Sequence, residues 1–297
     1  ISHNEIRDSG RFNIYWRSGS GEISYNDISN GMWLSRDGAL LYSWGADMGN
    51  SNIHHNLIHD SKGSDMSVGL YFDNYANNVV AHHNVIYNND VGIQLNTPGN
   101  YRLIYNNTVV NNKTNSIGFW GSAPYAQELY GSRAFNNIFT NSVSLTADTA
   151  NGYNTTSSIG VNFVNPSANN YRLNTGSTAI NTGAVIPGIT NGYVGPAPDA
   201  GAFEFGGADW QAGPDLMNPP SVTYVPIDTP YMNLILNSGF YGNTDKWLKW
   251  TTNGTTDVQQ VPASPDWQVR GRQFRLKLGP GGAGVEQKIT GLKPDTE

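Results

Sequence analysis

Ile53-His54-His55-Asn56-Leu57-Ile58 is one of six segments in this 297-residue chain that align with one another without gaps. The other five are Ile1–Ile6, Ile23–Ile28, Ala81–Ile86, Ile104–Val109 and Ala134–Phe139. Every segment has an apolar first residue, an apolar sixth residue and Asn in fourth place. The asparagines are 22 to 30 residues apart, which suits a coil of three short strands and three turns. The repeat therefore predicts an all-β parallel β-helix, a solenoid with one coil, or rung, per segment.

The three constant positions predict how the rungs stack. Apolar residues at positions one and six would form a continuous core, which a single rung could not bury alone. The asparagines would stack as a side-chain ladder at one turn, with each amide hydrogen-bonded to the next. The predicted ladder residues are Asn4, Asn26, Asn56, Asn84, Asn107 and Asn137.

A second column of strands lies between these segments and predicts an exposed face. We place inward the column Ile14, Leu41, Leu70, Ile93 and Phe119. Alternation along a strand then turns outward a first row of Tyr15, Tyr42, Tyr71, Gln94 and Trp120, and a second row of Arg17, Trp44, Asp73, Asn96 and Ser122. Aromatic faces flanked by amides and carboxylates suit pyranose rings, so we expect these residues to bind substrate. The alternative is that they serve only as good strand formers.

The repeat stops after Ser142, and the rest of the chain predicts three regions. Residues 1–206 would be the β-helix, with its closing turns between Tyr171 and Phe205. Residues 207–231 are rich in Pro, as a semi-rigid linker should be. Residues 232–297 contain strand-like alternation and are too few for a whole β-sandwich of about 100 residues, so we expect an incomplete module.

Composition and charge exclude several classes of function. Only 13% of the residues are charged, and the net charge is −6. Nucleic acid is therefore not an expected partner, because its binders need clustered Lys and Arg. No apolar run is long enough to span a membrane, and we expect no membrane partner. The chain has no cysteine, which decides nothing about its compartment.

Several stretches resemble known families. Asp37–Gly45 and Gly69–Asn74 are similar to segments of bacterial carbohydrate-active members of the pectate-lyase-like, right-handed parallel β-helix superfamily, and Asp199–Glu204 resembles the tail of such helices. Asn237–Phe240 and Gly291–Pro294 resemble parts of a jelly-roll carbohydrate-binding module. The resemblance implies a secreted bacterial protein, monomeric and without a cofactor, that acts on a polysaccharide. Because the superfamily contains glycoside hydrolases, polysaccharide lyases, epimerases and non-catalytic adhesins, the fold does not select the activity.

A glycoside hydrolase, the first hypothesis, needs two carboxyl groups. Asp37 and Asp73 are the first candidates because both flank the aromatic face. In our register they lie about seven residues apart along the strand direction, roughly 20 Å, so they would share a cleft without forming a close pair. Asp65 and Asp90 precede their strands as Asp37 does, and the three would line one rim at rung spacing. Turn formation is the alternative for these three residues.

A polysaccharide lyase, the second hypothesis, needs a base and a cation that neutralises the uronate carboxylate. The basic candidates are Arg17, Arg36 and Lys62. If the protein is a lyase, Asp73 with Asn74 or Asn96 would hold a Ca²⁺ ion. A non-catalytic, glycan-binding solenoid is the third hypothesis, and it needs neither arrangement.

The histidines suggest further candidates. Neighbouring strand residues point to opposite faces, so only His54 with His82, or His55 with His83, would share a metal ion. We expect no metal site, and we expect His55 and His83 to stack beside the Asn ladder. His59 is a candidate proton donor near the groove.

Overall fold

The computed structural model describes residues 1–216, 220, 224–233 and the backbone of four later strands. The described strands are β1 Glu5–Arg7, β2 Ile14–Tyr15, β3 Glu22–Ser24, β4 Asp27–Ser29, β5 Asp37–Ser43, β6 Asp47–His54, β7 Leu57–His59, β8 Met66–Phe72, β9 Asn77–His82, β10 Val85–Tyr87, β11 Val91–Leu95, β12 Arg102–Tyr105, β13 Thr108–Val110, β14 Asn115–Gly118, β15 Arg133–Phe135, β16 Ile138–Phe139, β17 Ser142–Val143, β18 Ala150–Gly152, β19 Phe163–Asn165, β20 Asn170–Leu173, β21 Leu248–Thr251, β22 Asp257–Pro262, β23 Arg272–Lys277 and β24 Ala283–Glu286. A short 3₁₀ helix spans Pro166–Ala168.

The first eighteen strands form three parallel sheets of six strands each. Sheet 1 contains β1, β4, β7, β10, β13 and β16; sheet 2 contains β2, β5, β8, β11, β14 and β17; sheet 3 contains β3, β6, β9, β12, β15 and β18. Each strand pairs with the strand three places later in the chain, so every rung contributes one strand to each sheet. The predicted parallel β-helix is confirmed.

The Asn ladder is confirmed at the turn between sheet 3 and sheet 1. Each ladder amide donates a hydrogen bond of 2.9 to 3.0 Å to the side-chain oxygen of the next ladder Asn, from Asn4 to Asn137. The ladder extends one step further, to Asn154. The residue before each ladder Asn is left-handed, with φ between 46° and 59° from His3 to Asn136. That conformation turns the chain, and the amide satisfies the polar groups which the turn leaves buried.

The strands of sheet 2 bend, which the sequence did not predict. Leu40 and Leu41 are consecutive residues and both belong to the solenoid core, whereas Ala39 and Tyr42 belong to a cluster on the outer side. Two inward residues in succession break the alternation of a straight strand. In the next rung Gly69 takes the position of Leu40, and a Cβ atom there would come within 2.7 Å of the Ile86 side chain. A cavity lies on this outer side of sheet 2, which is therefore called the concave side.

The register corrects the position of Trp120 in the fifth rung. Gln94 pairs with Gly118 rather than Trp120, so Trp120 is level with Asn96 and Asp73 in the second row. The sequence alignment matched Gly118 with Gly92, but the position of Gly92 is taken in this rung by Ser116. Ser116 is fully buried and donates a 3.0 Å hydrogen bond to the Val109 backbone oxygen. A small residue with a satisfied hydroxyl replaces glycine there.

The predicted closing turns add no further rung to the sheets. After β18 the chain forms the antiparallel pair β19–β20 and turns back along the outer side of sheet 1. Tyr171 and Phe203 pack there in one cluster with Tyr87 and Val110. Outward apolar residues of sheet 1 explain this path, because they need a cover that polar turns would not supply.

The end of the Pro-rich region also lies against the solenoid. Ile227 and Met232 pack against a cluster on the outer side of sheet 3 that includes Leu103. The Tyr231 ring lies 3.7 Å from the Arg133 guanidinium carbon. Most of the expected module at residues 232–297 lies outside the described residues. The four strands that are described there form two antiparallel pairs, β21–β24 and β22–β23. Within the described part of the chain, no helical segment has the length and hydrophobicity needed to cross a lipid bilayer.

Candidate active site

A cavity of about 620 Å³ occupies the concave side of sheet 2. Its lining residues come from successive rungs and are Arg11, Phe12, Tyr15, Asp37, Tyr42, Trp44, Met66, Tyr71, Asp73, Asn74, Asn96 and Trp120. Most of the predicted substrate-binding residues and the first two candidate acids therefore share one cavity. The bend brings them together, because it folds the start and the end of each strand towards the same space.

Aromatic rings form one wall of this cavity. Tyr15, Tyr42 and Tyr71 occupy one row, as predicted, with ring centroids 5.4 Å and 5.3 Å apart at the two steps. Phe12 stacks on Tyr42 at 4.3 Å. Tyr15 and Trp120 are 45% and 57% exposed, so their faces remain available to a ligand, whereas Tyr42 and Tyr71 are buried.

Asp73 is the centre of a hydrogen-bonded network at the end of β8. Its Oδ2 atom accepts a 2.7 Å hydrogen bond from the Tyr42 hydroxyl. Its Oδ1 atom accepts hydrogen bonds from the Asn96 amide at 3.0 Å and from the Asn74 backbone N–H at 2.8 Å. The Asn96 amide also donates to the Tyr71 hydroxyl. Burial and the charge of Asp73 raise the pKa of both tyrosines far above the ordinary range, so they remain protonated donors.

Asp37 lines the same cavity at the start of β5. Partial burial raises the pKa of its carboxyl group, and the negative charge of Asp73 raises it further, against an opposing effect of Arg11. Arg11 donates hydrogen bonds of 3.2 and 3.0 Å to the Asp37 backbone oxygen. The charge of Asp73 thus acts on Asp37, although their strand positions differ by seven residues. The estimate of roughly 20 Å assumed a straight strand, and the strands of sheet 2 are bent.

Comparison with known proteins gives the family. The family model described as "Right handed beta helix region" matches residues 1–176, more than half of the chain. The chain belongs to the right-handed β-helix family. A crystal structure of the pectate lyase Pel9A is similar with a TM-score of 0.40 and 13% sequence identity, over 67% of this chain and 69% of that one. No curated protein sequence matches the chain.

Asp65 lies outside the cavity of this β-helix protein. Its side chain is 69% exposed and lies 3.7 Å from the Arg36 guanidinium, which is itself 81% exposed. Asp37 is level with Met66, and Asp90 is level with Ser67. The three acids therefore occupy three successive strand positions. Asp90 is buried and lies 3.4 Å from the Lys113 ammonium group, and of the three acids Asp37 alone lines the cavity, so they do not form the predicted shared rim.

His59 does not lie near the groove, which corrects its predicted place. It belongs to β7 of sheet 1, where its Nε2 atom is 3.0 Å from Asp27 and its Nδ1 atom is 2.6 Å from Asp60. Its ring stacks on Tyr87 at 4.6 Å. Burial alone would lower the pKa of His59, but hydrogen bonds to the two carboxylates outweigh that effect and raise it.

Two predicted substrate-binding residues lie beside the cavity without lining it. The Arg17 guanidinium lies 5.9 Å from the Tyr15 and Trp44 rings and donates to the Gly45 backbone oxygen at 3.1 Å. Gln94 is buried and donates a 2.8 Å hydrogen bond to the Asn96 side-chain oxygen. Both can support the lining residues, and neither presents a free face to the cavity.

The paired histidines stack beside the Asn ladder, as predicted. The His55 and His83 rings are 5.0 Å apart and nearly parallel, and His82 Nδ1 lies 2.8 Å from His83 Nδ1. Burial, with a contribution from His54, lowers the pKa of His83 to about 4. Within the described residues, no three His, Asp or Glu side chains are grouped as ligands for a metal ion.

Arg11, Phe12 and Met66 also line the cavity, and the sequence pattern did not predict them. Arg11 and Phe12 precede β2 and have no counterparts in the repeat, so no pattern singled them out. Met66 is level with Asp37 and faces the cavity because of the bend. The signal available for Phe12 was its position three residues before Tyr15 at the edge of the predicted aromatic face.

Proposed function

We propose that this protein is an enzyme that hydrolyses glycosidic bonds in a polysaccharide bound along the concave side of sheet 2. One observation carries the proposal: Asp37 and Asp73 line the same aromatic cavity in different environments. Asp73 is nine-tenths buried and bound by three donors, whereas Asp37 is more exposed. Two carboxyl groups in contrasting environments are what acid–base cleavage of a glycosidic bond requires.

The walls of the cavity suit a sugar chain. The exposed faces of Tyr15 and Trp120 can stack against pyranose rings, and the side chain of Asn74, which lines the cavity, can hydrogen-bond to hydroxyl groups. The cavity of about 620 Å³ lies within the range of about 300 to 1,000 Å³ typical of ligand sites.

The two acids would divide the chemistry. The raised pKa of Asp37 suits the general acid that protonates the leaving oxygen, so the rate would fall as the pH rises through that pKa. The donors around Asp73 hold its carboxylate in one orientation, as a base or nucleophile requires. The anomeric configuration of the first product, measured by NMR, would show which of these two roles Asp73 takes.

Elimination is less well supported by the same cavity. A lyase needs a cationic group at the substrate carboxylate, and Arg11 is the cationic member among the described residues that line the cavity. Its guanidinium is already bound to the Asp37 backbone oxygen. Arg36 pairs with Asp65 outside the cavity, and Arg17 lies beside it.

Product analysis tests the proposal. The protein would be incubated with a panel of neutral and uronate-containing polysaccharides, and the products would be identified by mass spectrometry. Hydrolysis adds one water per bond broken, whereas elimination leaves an unsaturated sugar that absorbs ultraviolet light. Unsaturated products would refute hydrolysis and support a lyase. Binding without any cleavage would support the non-catalytic hypothesis.

A matched pair of variants tests the assignment of the acid. Asp37→Asn should lower kcat by about 100- to 10,000-fold, the usual contribution of general acid catalysis. Asp65→Asn makes the same change at an exposed acid of the next rung, and its kcat should equal that of the wild type. Equal effects of the two substitutions would refute the role of Asp37.

A further inference from the structure

Arg102, the first residue of β12, is a fully buried arginine directly behind the candidate site. Its Nη2 atom donates a 2.8 Å hydrogen bond to the Asp73 backbone oxygen, and its Nη1 atom donates one of 2.7 Å to the Asn96 backbone oxygen. Its Nε atom donates a third, of 2.7 Å, to Ala76. One guanidinium thus binds the ends of β8 and β11 on successive rungs. A planar fork of fixed donors can do this, and an ammonium group cannot reproduce it.

The residues bound by Arg102 are the same two that meet inside the cavity. The Asn96 amide donates to the Asp73 carboxylate at 3.0 Å, while Arg102 holds both backbone oxygens from behind. Asp73 and Asn96 are therefore tied to each other at the side chain and at the backbone. Any shift of the guanidinium would move the carboxylate relative to Asp37.

The solenoid itself does not need an arginine at this position. The equivalent residues in three neighbouring rungs are Ser51, Val79 and Ser132. Those three rungs are built without a guanidinium at this position of sheet 3, whereas the ladder position is Asn in every rung. Arg102 departs from the repeat behind the cavity, which indicates that it serves the cavity and not the solenoid.

We propose that Arg102 is a positioning residue, which sets the placement of Asp73 and Asn96 against Asp37 through their backbone oxygens. The expected effect on kcat rests on the proposed function, but the expected displacement of Asp73 can be measured separately. If Asp73 moves away, Asp37 loses the negative charge that contributes to its raised pKa.

Three variants test the proposal. Arg102→Lys keeps the charge and loses the fork. Gly99→Ala keeps the arginine, but a methyl group at position 99 would overlap the guanidinium and displace it. Arg133→Lys is the matched control, because Arg133 lies on the neighbouring rung of sheet 3 with its guanidinium against Tyr231, away from the cavity.

Both Arg102→Lys and Gly99→Ala should lower kcat by about 10- to 100-fold with little change in KM, since misplacement by about 1 Å can cost that much. NMR titration of Asp37 should show its pKa falling towards the value in Asp73→Asn. Arg133→Lys should match the wild type in both measurements.

Each outcome decides the question. Wild-type kcat and an unchanged Asp37 pKa in the two folded variants would overturn the proposal. So would failure of both to fold, judged by circular dichroism, because the guanidinium would then be holding the solenoid itself. If the wild-type protein cleaves no polysaccharide, the proposed function fails, while the Asp37 titration still decides the role of Arg102.

Discussion

The Asn ladder and the network around Asp73 are built from similar polar groups, but they differ in what each group meets. In the ladder, every amide bonds to a copy of itself one rung away. In the cavity, Asp73 bonds to three unlike groups, the Tyr42 hydroxyl, the Asn96 amide and the Asn74 backbone N–H, and not to a copy of itself. The repeated groups stabilise the solenoid, so the polar groups that depart from the repeat are the candidates for ligand binding.

The largest effect should come from breaking the ladder. Asn84 is fully buried; it accepts two hydrogen bonds from Asn56 and donates to Ile53 and Asn107. Asn84→Ala should lower the free energy of unfolding by about 4 to 6 kcal/mol, because four buried hydrogen bonds are lost at about 1 to 1.5 kcal/mol each. Urea unfolding would measure this change. The kcat of the remaining folded protein should be unchanged, and a ladder variant that folds stably but is inactive would contradict the comparison.

In the cavity we expect the opposite of the ladder variant, a large loss of activity with little loss of stability. Asp73→Asn should reduce kcat by about 100- to 10,000-fold while changing the free energy of unfolding by less than about 1 kcal/mol. The new amide keeps an oxygen for the donors of Asn74 and Asn96, and the Tyr42 hydroxyl can rotate to accept from its nitrogen. Steady-state kinetics and urea unfolding of the same sample would test both halves. A loss of stability as large as that of Asn84→Ala would mean that the network is structural.

The smallest effect concerns the left-handed position before the ladder, which is His in some rungs and Asn in others. Because the pKa of folded His83 is about 4 and that of an unfolded His is about 6.5, the unfolded chain takes up its proton first. The contribution of neutral His83 to the free energy of unfolding is therefore fully present above a pH of about 6.5. It is lost as the pH falls towards 4, and the loss is roughly 2 to 3 kcal/mol. His83→Asn places at this position the residue type of the next rung, Asn106. The free energy of unfolding, measured with urea, should then fall less steeply between these pH values. An unchanged slope would show that His83 is protonated equally in both states.

The sequence predicted the rungs, the ladder and the first aromatic row because these features repeat. A fixed spacing reveals residues that stack on their own equivalents, and Tyr15, Tyr42 and Tyr71 do so. The prediction failed at Trp120, where Ser116 replaced a glycine and moved the register by two residues. It also failed for His59 and Asp65, because proximity along the chain to a groove strand does not place a side chain in the groove.

The repeated columns are enough to predict that this chain coils into stacked rungs, since each apolar column and each ladder Asn needs its neighbours above and below. The fold, and not the repeat, brings Asp37 and Asp73 to one cavity with Arg102 bound behind Asp73. The physical reason is that the bend at Leu40 and Gly69, and the guanidinium behind β8 and β11, join unlike residues from different rungs. Contacts between unlike residues leave no periodic trace in a sequence.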